Sequence, residues 1–463
     1  MPLILGANSV RDSVYSIDQS IRFNPGDSTY MQRTHGAGGN VDKWSLSFWF
    51  KRGNLGTDQY MFGSGADANN TSDISFNTSD QLTFWSYIGA WQTRLITTQV
   101  FRDPSAWTHC VVVYDSGNAL PTERAKIYIN GARVTSFGTE TYPSQNQDGI
   151  VGSNVNIGFG RYISYGGSYF DGYLAEMNYV NGSTLDPSSF GEYNSSNIWI
   201  PKEYSGSYGT GGFKVDGRDA SDLGDDESGS GNDLTTSGLA SHDQMVGESP
   251  TNNFATFNPL DNRGSGTLSD GNLQMAFGAT NDNVTATQGI STGKWYWEAH
   301  IVDHAYAYIG VQDSNISATG YTISAVALYD GGFVYINNSD SGDRSTTYTN
   351  GDVVGVAFDA DNKKIWWSKN GQWYSADDSS ASTINISEVE AGNQAQVITR
   401  SPDFFMPFYG NYTHSTAIFN FGQEGTFSGN ETAGGNSDGN GVGNFFSPVP
   451  NGFLALCTKN LGS

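Results

Sequence analysis

Apolar and polar residues alternate along much of the chain. In Trp44-Ser45-Leu46-Ser47-Phe48-Trp49-Phe50 the side chains of Trp44, Leu46, Phe48 and Phe50 fall on one face, the period of two that marks a strand packed on a core. Leu82 to Tyr87, Trp107 to Tyr114 and Lys126 to Val134 continue the set, and Val155 to Gly160 and Tyr169 to Tyr179 close it. A second set opens with Gly293-Lys294-Trp295-Tyr296-Trp297-Glu298-Ala299-His300-Ile301 and runs through Tyr308 to Gln312, Val353 to Phe358, Lys364 to Trp373 and Ala417 to Gly422. One hairpin occurs in both sets. Lys126-Ile127-Tyr128-Ile129-Asn130-Gly131 and Lys364-Ile365-Trp366-Trp367-Ser368-Lys369-Asn370-Gly371 each follow a valine-rich strand ending in aspartate, Asp115 or Asp359. Asn-Gly between β-rich runs predicts a type I′ turn, because both central residues need φ > 0 and Asn and Gly tolerate it best. The two turns lie 370 − 130 = 240 residues apart. The pattern therefore predicts an all-β protein of two tandem antiparallel β-sandwich (jelly-roll) domains.

Composition sharpens this picture. A chain of 463 residues with 58 Gly and 13% aromatics fits many short strands joined by tight turns, and it is long enough for two cores. The best helical signal is a single turn opened by Asp186-Pro187, where Asp caps free N–H groups and Pro suits the first position. Residues 215–250 hold nine acidic side chains, one basic one and many Gly and Ser. That stretch is predicted to be an acidic connector between sandwiches at 13–214 and 251–463. Residues 1–12, beginning Met1-Pro2-Leu3-Ile4-Leu5, form an apolar segment expected to attach the chain to a neighbour by adding a strand.

The formal net charge is −24, with 15 basic against 27 acidic side chains in residues 1–250 and 8 against 20 in 251–463, or −12 in each half. Such a surface repels phosphate backbones and anionic membranes, so neither nucleic acid binding nor membrane insertion is expected. No run of residues has the length of a membrane-spanning helix, and the N-terminus lacks a basic stretch before its apolar residues; if the protein leaves its producing cell, the expected route is not the Sec route. Cys110 and Cys457 sit in apolar strands of different halves, which predicts two buried free thiols.

Several motifs resemble known modules. Trp107-Thr108-His109-Cys110-Val111-Val112-Val113-Tyr114-Asp115, the Ile127-to-Gly131 hairpin and Phe170-Asp171-Gly172-Tyr173-Leu174-Ala175-Glu176 resemble the laminin-G or concanavalin-A-like jelly roll. Gly293 to Glu298, Ile309-Gly310-Val311, Val354 to Asp359, Lys364 to Gly371 and Phe419-Asn420-Phe421-Gly422 resemble, in order, a SPRY domain. The arrangement as a whole is similar to virion proteins of marine tailed phages, through Met1 to Ala7, Asp171 to Glu176, Asp186 to Glu192, Ser228 to Asp233 and Asn258 to Asp261. That resemblance implies a structural or tail-associated protein of the virion, located on the tail or particle surface, and SPRY domains imply binding rather than catalysis.

Candidate chemistry is sparse. Gly289-Ile290-Ser291-Thr292-Gly293 has the form of a hydrolase nucleophile elbow, but a Trp-rich strand follows where a helix is needed. The E-x-D-x-x-E carboxylate pattern of concanavalin-A-like glycanases does not occur, the six histidines show no HExxH spacing, and His109 reads as a packed fold residue. The chain is not expected to be an enzyme. Asp225, Glu227, Asn232 and Asp233 supply hard oxygen atoms around flexible glycines, as does the Asn436-to-Asn440 loop, and suit Ca²⁺; solvated turns are the plainer reading. Trp85, Tyr87 and Trp91, and separately Tyr409 and Tyr412, place rings near loop ends where they could stack on sugars, although sandwiches also bury many aromatics. The expected role is a tail fibre or tail-associated adhesin that contacts host-cell glycan or a surface receptor, joins other virion proteins through residues 1–12, and assembles as a homo-oligomer. The competing readings are a purely structural capsid or tail decoration or assembly protein without a ligand, and third a cryptic glycan hydrolase.

Overall fold

The structure is a computed structural model and describes residues 15–314 and 324–461. The attachment segment expected at residues 1–12 lies outside the described residues. The chain divides into two compact units that meet in sequence at Thr251 and Asn252. Each is an antiparallel β-sandwich, as the alternation predicts.

In the first unit one sheet, the back sheet, runs in the order Ala132–Arg133, Ala125–Ile129, Thr108–Asp115, Lys43–Arg52, Gly172–Asn181, Gln19–Phe23 and Gln244–Val246, with Phe213–Val215 also on Gly172–Asn181. The front sheet runs Phe137–Thr141, Trp91–Val100, Gln81–Ile88, Asn70–Phe76, Gln59–Asp67, Asn156–Phe159, Tyr30–Thr34 and Thr235–Ser237. Trp44, Leu46, Phe48 and Phe50 project from the back sheet onto Phe84, Leu95, Ile157 and Phe159 of the front, all buried. The strand Lys43–Arg52 is buried on its other face too, beyond what period-two alternation implies. There Trp49 stacks on His109 at 4.6 Å, and the Trp199 indole donates to His109 Nδ1. The Nε2 proton of His109 then goes to Ser47 Oγ at 2.8 Å, and burial holds the imidazole neutral with its pKa lowered to about 3. His109 is thus a packed fold residue with both nitrogens engaged.

The acidic stretch at 215–250 is not a connector. Its strands pair with both sheets, and Leu223, Leu234 and Met245 enter the core. Its charge does not hold it in solvent because basic residues of the sandwich meet it: Asp243 pairs with Arg22 at 3.0 Å and Glu248 with Lys51 at 3.2 Å, both pairs fully buried, while Asp216 lies 3.5 Å from Lys214. The expected turn at Asp186-Pro187 forms as a single 3-10 turn, Pro187–Ser189, with Asp186 accepting the Ser188 N–H.

In the second unit a seven-stranded sheet (Phe257–Arg263, Asn283–Ala286, Phe405–Asn411, Ala307–Asp313, Ala325–Tyr329, Phe333–Ile336, Ser339–Arg344) faces a ten-stranded one centred on Lys294–Asp303 and Val353–Asp359. Trp297, Ile301, Ile309, Val356, Trp367 and Phe419 fill the space between them. A third layer covers the far side of the larger sheet, where Phe445, Phe453 and Cys457 pack on Tyr296, Trp366 and Trp373. Glu298 is sealed beneath it, accepting from Tyr296 Oη, Asn420 Nδ2 and the Phe446 and Ser447 amides. One short α-helix, Ile386–Ala391, is present among the described residues, and no helix there is long and apolar enough to cross a membrane.

Both Asn-Gly turns adopt left-handed φ at both positions, 48° and 79° at Asn130-Gly131 and 48° and 82° at Asn370-Gly371. Each asparagine also caps its partner strand: Oδ1 accepts at 2.8 Å from the N–H of His109 in one unit and of Val353 in the other. Cys110 and Cys457 are both free and buried, one in each unit.

Candidate functional site

Pairing register aligns one row of residues across all eight strands of the front sheet, on the face away from the core. In order these are Thr141, Arg94, Trp85, Asp73, Gly63, Gly158, Gln32 and Thr235. A neighbouring row sets Trp91 beside Tyr87, then Thr71 and Gly65. The middle of the sheet is therefore paved with glycine. A Cβ at Gly63 would stand 3.2 Å from Ile163, and one at Gly65 would stand 2.2 Å from Ser164 Oγ. The bare backbone lets the loop at 160–168 lie directly on the sheet, fastened by buried Ile163 and by the Ser164 hydroxyl on Thr71 Oγ1 at 2.6 Å.

The seated loop completes an aromatic surface. Tyr162 stacks on Tyr60 with centroids 4.6 Å apart, and Trp85 stands edge-on to Tyr60, Tyr162 and Trp91 at 6.4, 5.8 and 5.5 Å. Tyr87 abuts Trp91 at 5.2 Å and Tyr165 abuts Tyr162 at 6.0 Å. Trp91 is 47% exposed and Tyr165 is 77% exposed, so the cluster is rooted in the sheet and open to solvent at both ends. Beneath it lies Asp73, wholly buried. Its Oδ2 accepts from Thr71 Oγ1 while Oδ1 has no hydrogen-bond partner. Burial holds this carboxyl well above the ordinary carboxylate range, and burial with the nearby Asp73 raises the Tyr60 and Tyr162 hydroxyls, Tyr162 to about 12. Flat rings with hydroxyl and indole donors, set on a hydrogen-bonded sheet, present a surface against which a sugar ring can stack.

Of the residues expected to bind a ligand, Trp85, Tyr87 and Trp91 come together as one hairpin presents them. Tyr409 does not belong to any exposed site: it is fully buried, packed on Phe257, Phe277 and Phe419 in the second unit's core. Its strand alternates, and position 409 falls on the inner face. Tyr412, three residues on, is 45% exposed and lies edge-on to Tyr306 at 5.6 Å. Tyr60, Tyr162, Tyr165 and Arg94 are site residues that sequence reasoning missed. The Tyr- and Gly-rich run Arg161-Tyr162-Ile163-Ser164-Tyr165-Gly166-Gly167-Ser168-Tyr169 was the available signal.

Asp225, Glu227, Asn232 and Asp233 do not converge. Glu227 pairs with Arg218 at 3.1 Å, Asn232 Nδ2 donates to the Gly212 carbonyl, and Asp233 accepts from the Asp226 amide. The loop is organised by Asp226 instead, whose carboxylate collects the N–H groups of Lys214, Ser228 and Asn232. Asp438 fills the 436–440 loop in the same manner, accepting from Asn440, Val442 and Ala455. Among the described residues no three acidic, His or Cys side chains are grouped to hold a metal ion. Backbone donors occupy the carboxylates of Asp226, Asp233 and Asp438, and Arg218 occupies that of Glu227.

Two sandwiches in tandem, the first with an aromatic sheet face, define the class: an all-β protein built from binding-type folds. Family models agree, residues 25–188 matching the concanavalin A-like lectin/glucanases superfamily and residues 294–383 the SPRY domain. Similar solved structures include the SPRY domain of human HERC1, at 14% identity over 35% of this chain and 96% of that one with a TM-score of 0.29. A SAP-like pentraxin from Limulus polyphemus is 12% identical over 41% of this chain and 94% of its own, TM-score 0.31. Domain 4 of AbnA, a GH43 extracellular arabinanase from Geobacillus stearothermophilus in complex with arabinotriose, is 23% identical over 32% of this chain and 65% of that one, TM-score 0.25. No curated protein matches the chain.

Proposed function

We propose that the chain is a phage virion protein, tail-associated, whose first sandwich binds host-surface glycan through the aromatic face of its front sheet. The observation that carries this reading is the gathering of Trp85, Tyr87, Trp91, Tyr60, Tyr162 and Tyr165 on one solvent-facing surface. Exposed aromatic rings cost solubility, and their retention in a cluster fits a ligand that covers them. The role is adhesion without catalysis. Residues 1–12 join other virion proteins, copies assemble as a homo-oligomer, and the SPRY unit supplies a second surface for contact with the particle or the host.

The test is binding of the purified full chain to host cells and to their extracted surface polysaccharide. Trp91→Ala and Tyr165→Ala remove rings that are largely exposed, so the fold survives, and each should weaken binding by about tenfold, the usual loss when a stacked ring is removed. Binding left unchanged by both variants overturns the aromatic face as the site. Wild-type chain that enters particles but binds neither cells nor polysaccharide points to the purely structural role instead.

A further inference from the structure

The aromatic face holds a cation that no acid pairs with among the described residues. The chain has a net charge of −24, and in the first sandwich other basic side chains are held by acids or by carbonyls: Arg22, Lys51, Arg52, Arg102 and Lys214 each lie within ion-pair distance of a carboxylate, and Arg33, Arg124 and Lys202 donate to backbone carbonyls. Arg94 differs. Its guanidinium carbon sits 4.9 Å from the Trp91 ring centroid, and among the described residues the side chain meets no carboxylate and no hydrogen-bond acceptor. Farther along the same sheet Arg161 lays its guanidinium over Tyr30 at 3.6 Å and gives one N–H to Gln32 Oε1 at 3.2 Å, again with no carboxylate partner.

Among the described residues no acid near the face pairs with these cations. Asp73 is wholly buried, and burial raises its carboxyl well above the ordinary carboxylate range. Asp67 lies near Tyr162, accepting from the Asn69 amide and the Asn70 side chain, and Asp58 lies near Tyr60; neither forms an ion pair with Arg94 or Arg161.

Resting on the glycan reading above, we propose that the front face selects an acidic polysaccharide, a chain of uronate-bearing pyranoses, with Trp91 stacked on a sugar ring and Arg94 paired to its carboxylate. A guanidinium held over an indole and given to no acceptor keeps its N–H groups free and loses little further freedom when it binds. That planar fork matches a carboxylate with two parallel hydrogen bonds, which an ammonium cannot do. From the strand of Arg94 to that of Gln32, where Arg161 is held, there are five strand spacings of about 4.8 Å, roughly 24 Å in all. One ligand reaching both cations must be several sugars long.

Polygalacturonate in its de-esterified and methyl-esterified forms separates charge from backbone, and titration calorimetry of the full chain with each is the test. Wild type should bind the charged form about tenfold tighter at about 0.15 M ionic strength, where charges more than about 8 Å away are screened and the local Arg94 pairing is not, and the preference should collapse in 1 M NaCl. Arg94→Ala should abolish the preference while leaving binding of the esterified form intact, Arg94→Lys should restore only part of it, and Trp91→Ala should weaken both forms. Equal wild-type affinity for the two forms, or a preference that survives in Arg94→Ala, overturns the uronate assignment and leaves the glycan face standing. Preference for a sulfated dextran over polygalacturonate also overturns it. Binding to neither form nor to any host polysaccharide removes the glycan reading itself.

Discussion

Glu298 offers the sharpest test of how the second sandwich is held together. Its carboxylate is fully buried under the C-terminal layer, with two backbone amides, a tyrosine hydroxyl and an asparagine amide directed at it. Those donors favour the ionised form and burial opposes it; burial wins, and the pKa is pushed from 4.5 up to about 7. A folded-state pKa above the unfolded one means that the folded protein holds the proton more tightly. The stabilisation is therefore complete below about pH 4.5 and lost as pH rises through about 7. At about 1.4 kcal/mol per pH unit the loss is about 3 kcal/mol. Glu298→Gln cannot titrate. At low pH it is less stable than wild type, because its NH₂ faces donors and leaves at least one unsatisfied at a cost of about 1–3 kcal/mol. The gap between the two proteins should narrow steadily from pH 5 to pH 8. Hydrogen exchange of the Phe446 and Ser447 amides reads it directly, and the comparison with the variant cancels the intrinsic pH dependence of exchange. A gap that stays constant over that range refutes the assignment of a raised, buried carboxyl.

Two further perturbations address the first sandwich. Gly65→Ala places a Cβ 2.2 Å from Ser164 Oγ and 2.4 Å from the Asn70 carbonyl, and since the latter is backbone no rotamer relieves it. It should cost about 1–3 kcal/mol in a melt of that unit and weaken glycan binding by unseating Tyr162 and Tyr165. Asp226→Ala strands the buried Lys214 amide and the half-buried Ser228 and Asn232 amides, and should lower the stability of the same unit by about 2–3 kcal/mol. Chelation of calcium should leave the wild-type melt where it is, and a melting temperature that rises with added calcium would restore the metal reading of the 225–233 loop.

Much of the fold was legible because it is local. Period two in Trp44 to Phe50 marks the core face, and Asn-Gly marks both hairpins, since backbone chirality alone dictates those turns. Trp85, Tyr87 and Trp91 were legible as a group for the same reason, being two sides of one hairpin. Tyr60 and Tyr162 were not, because a strand and a loop roughly a hundred residues apart meet only through sheet order, and nothing near either residue encodes its neighbour. Tyr409 was misplaced through register: a residue near a strand end faces core or solvent according to a one-position phase that its composition does not reveal. The acidic stretch was misread because charge with glycine and serine is the composition of a solvated linker. Its partners Arg22 and Lys51 lie 221 and 197 positions upstream of Asp243 and Glu248, beyond the reach of any window along the sequence.

The burial of Cys110 and Cys457 in separate units has a consequence for the chemistry of the whole chain. Burial raises both thiols, that of Cys457 to about 12, so neither exists as thiolate at neutral pH. The folded chain gives an oxidant no cysteine thiolate and gives a reductant no crosslink to break, so the thiol–disulfide poise of its surroundings does not act on its architecture. Each sandwich also carries a silent chemical tag of its own. Alkylation at position 110 records an opening of the first unit and alkylation at position 457 an opening of the second, which makes the chain a two-channel recorder of its own local unfolding.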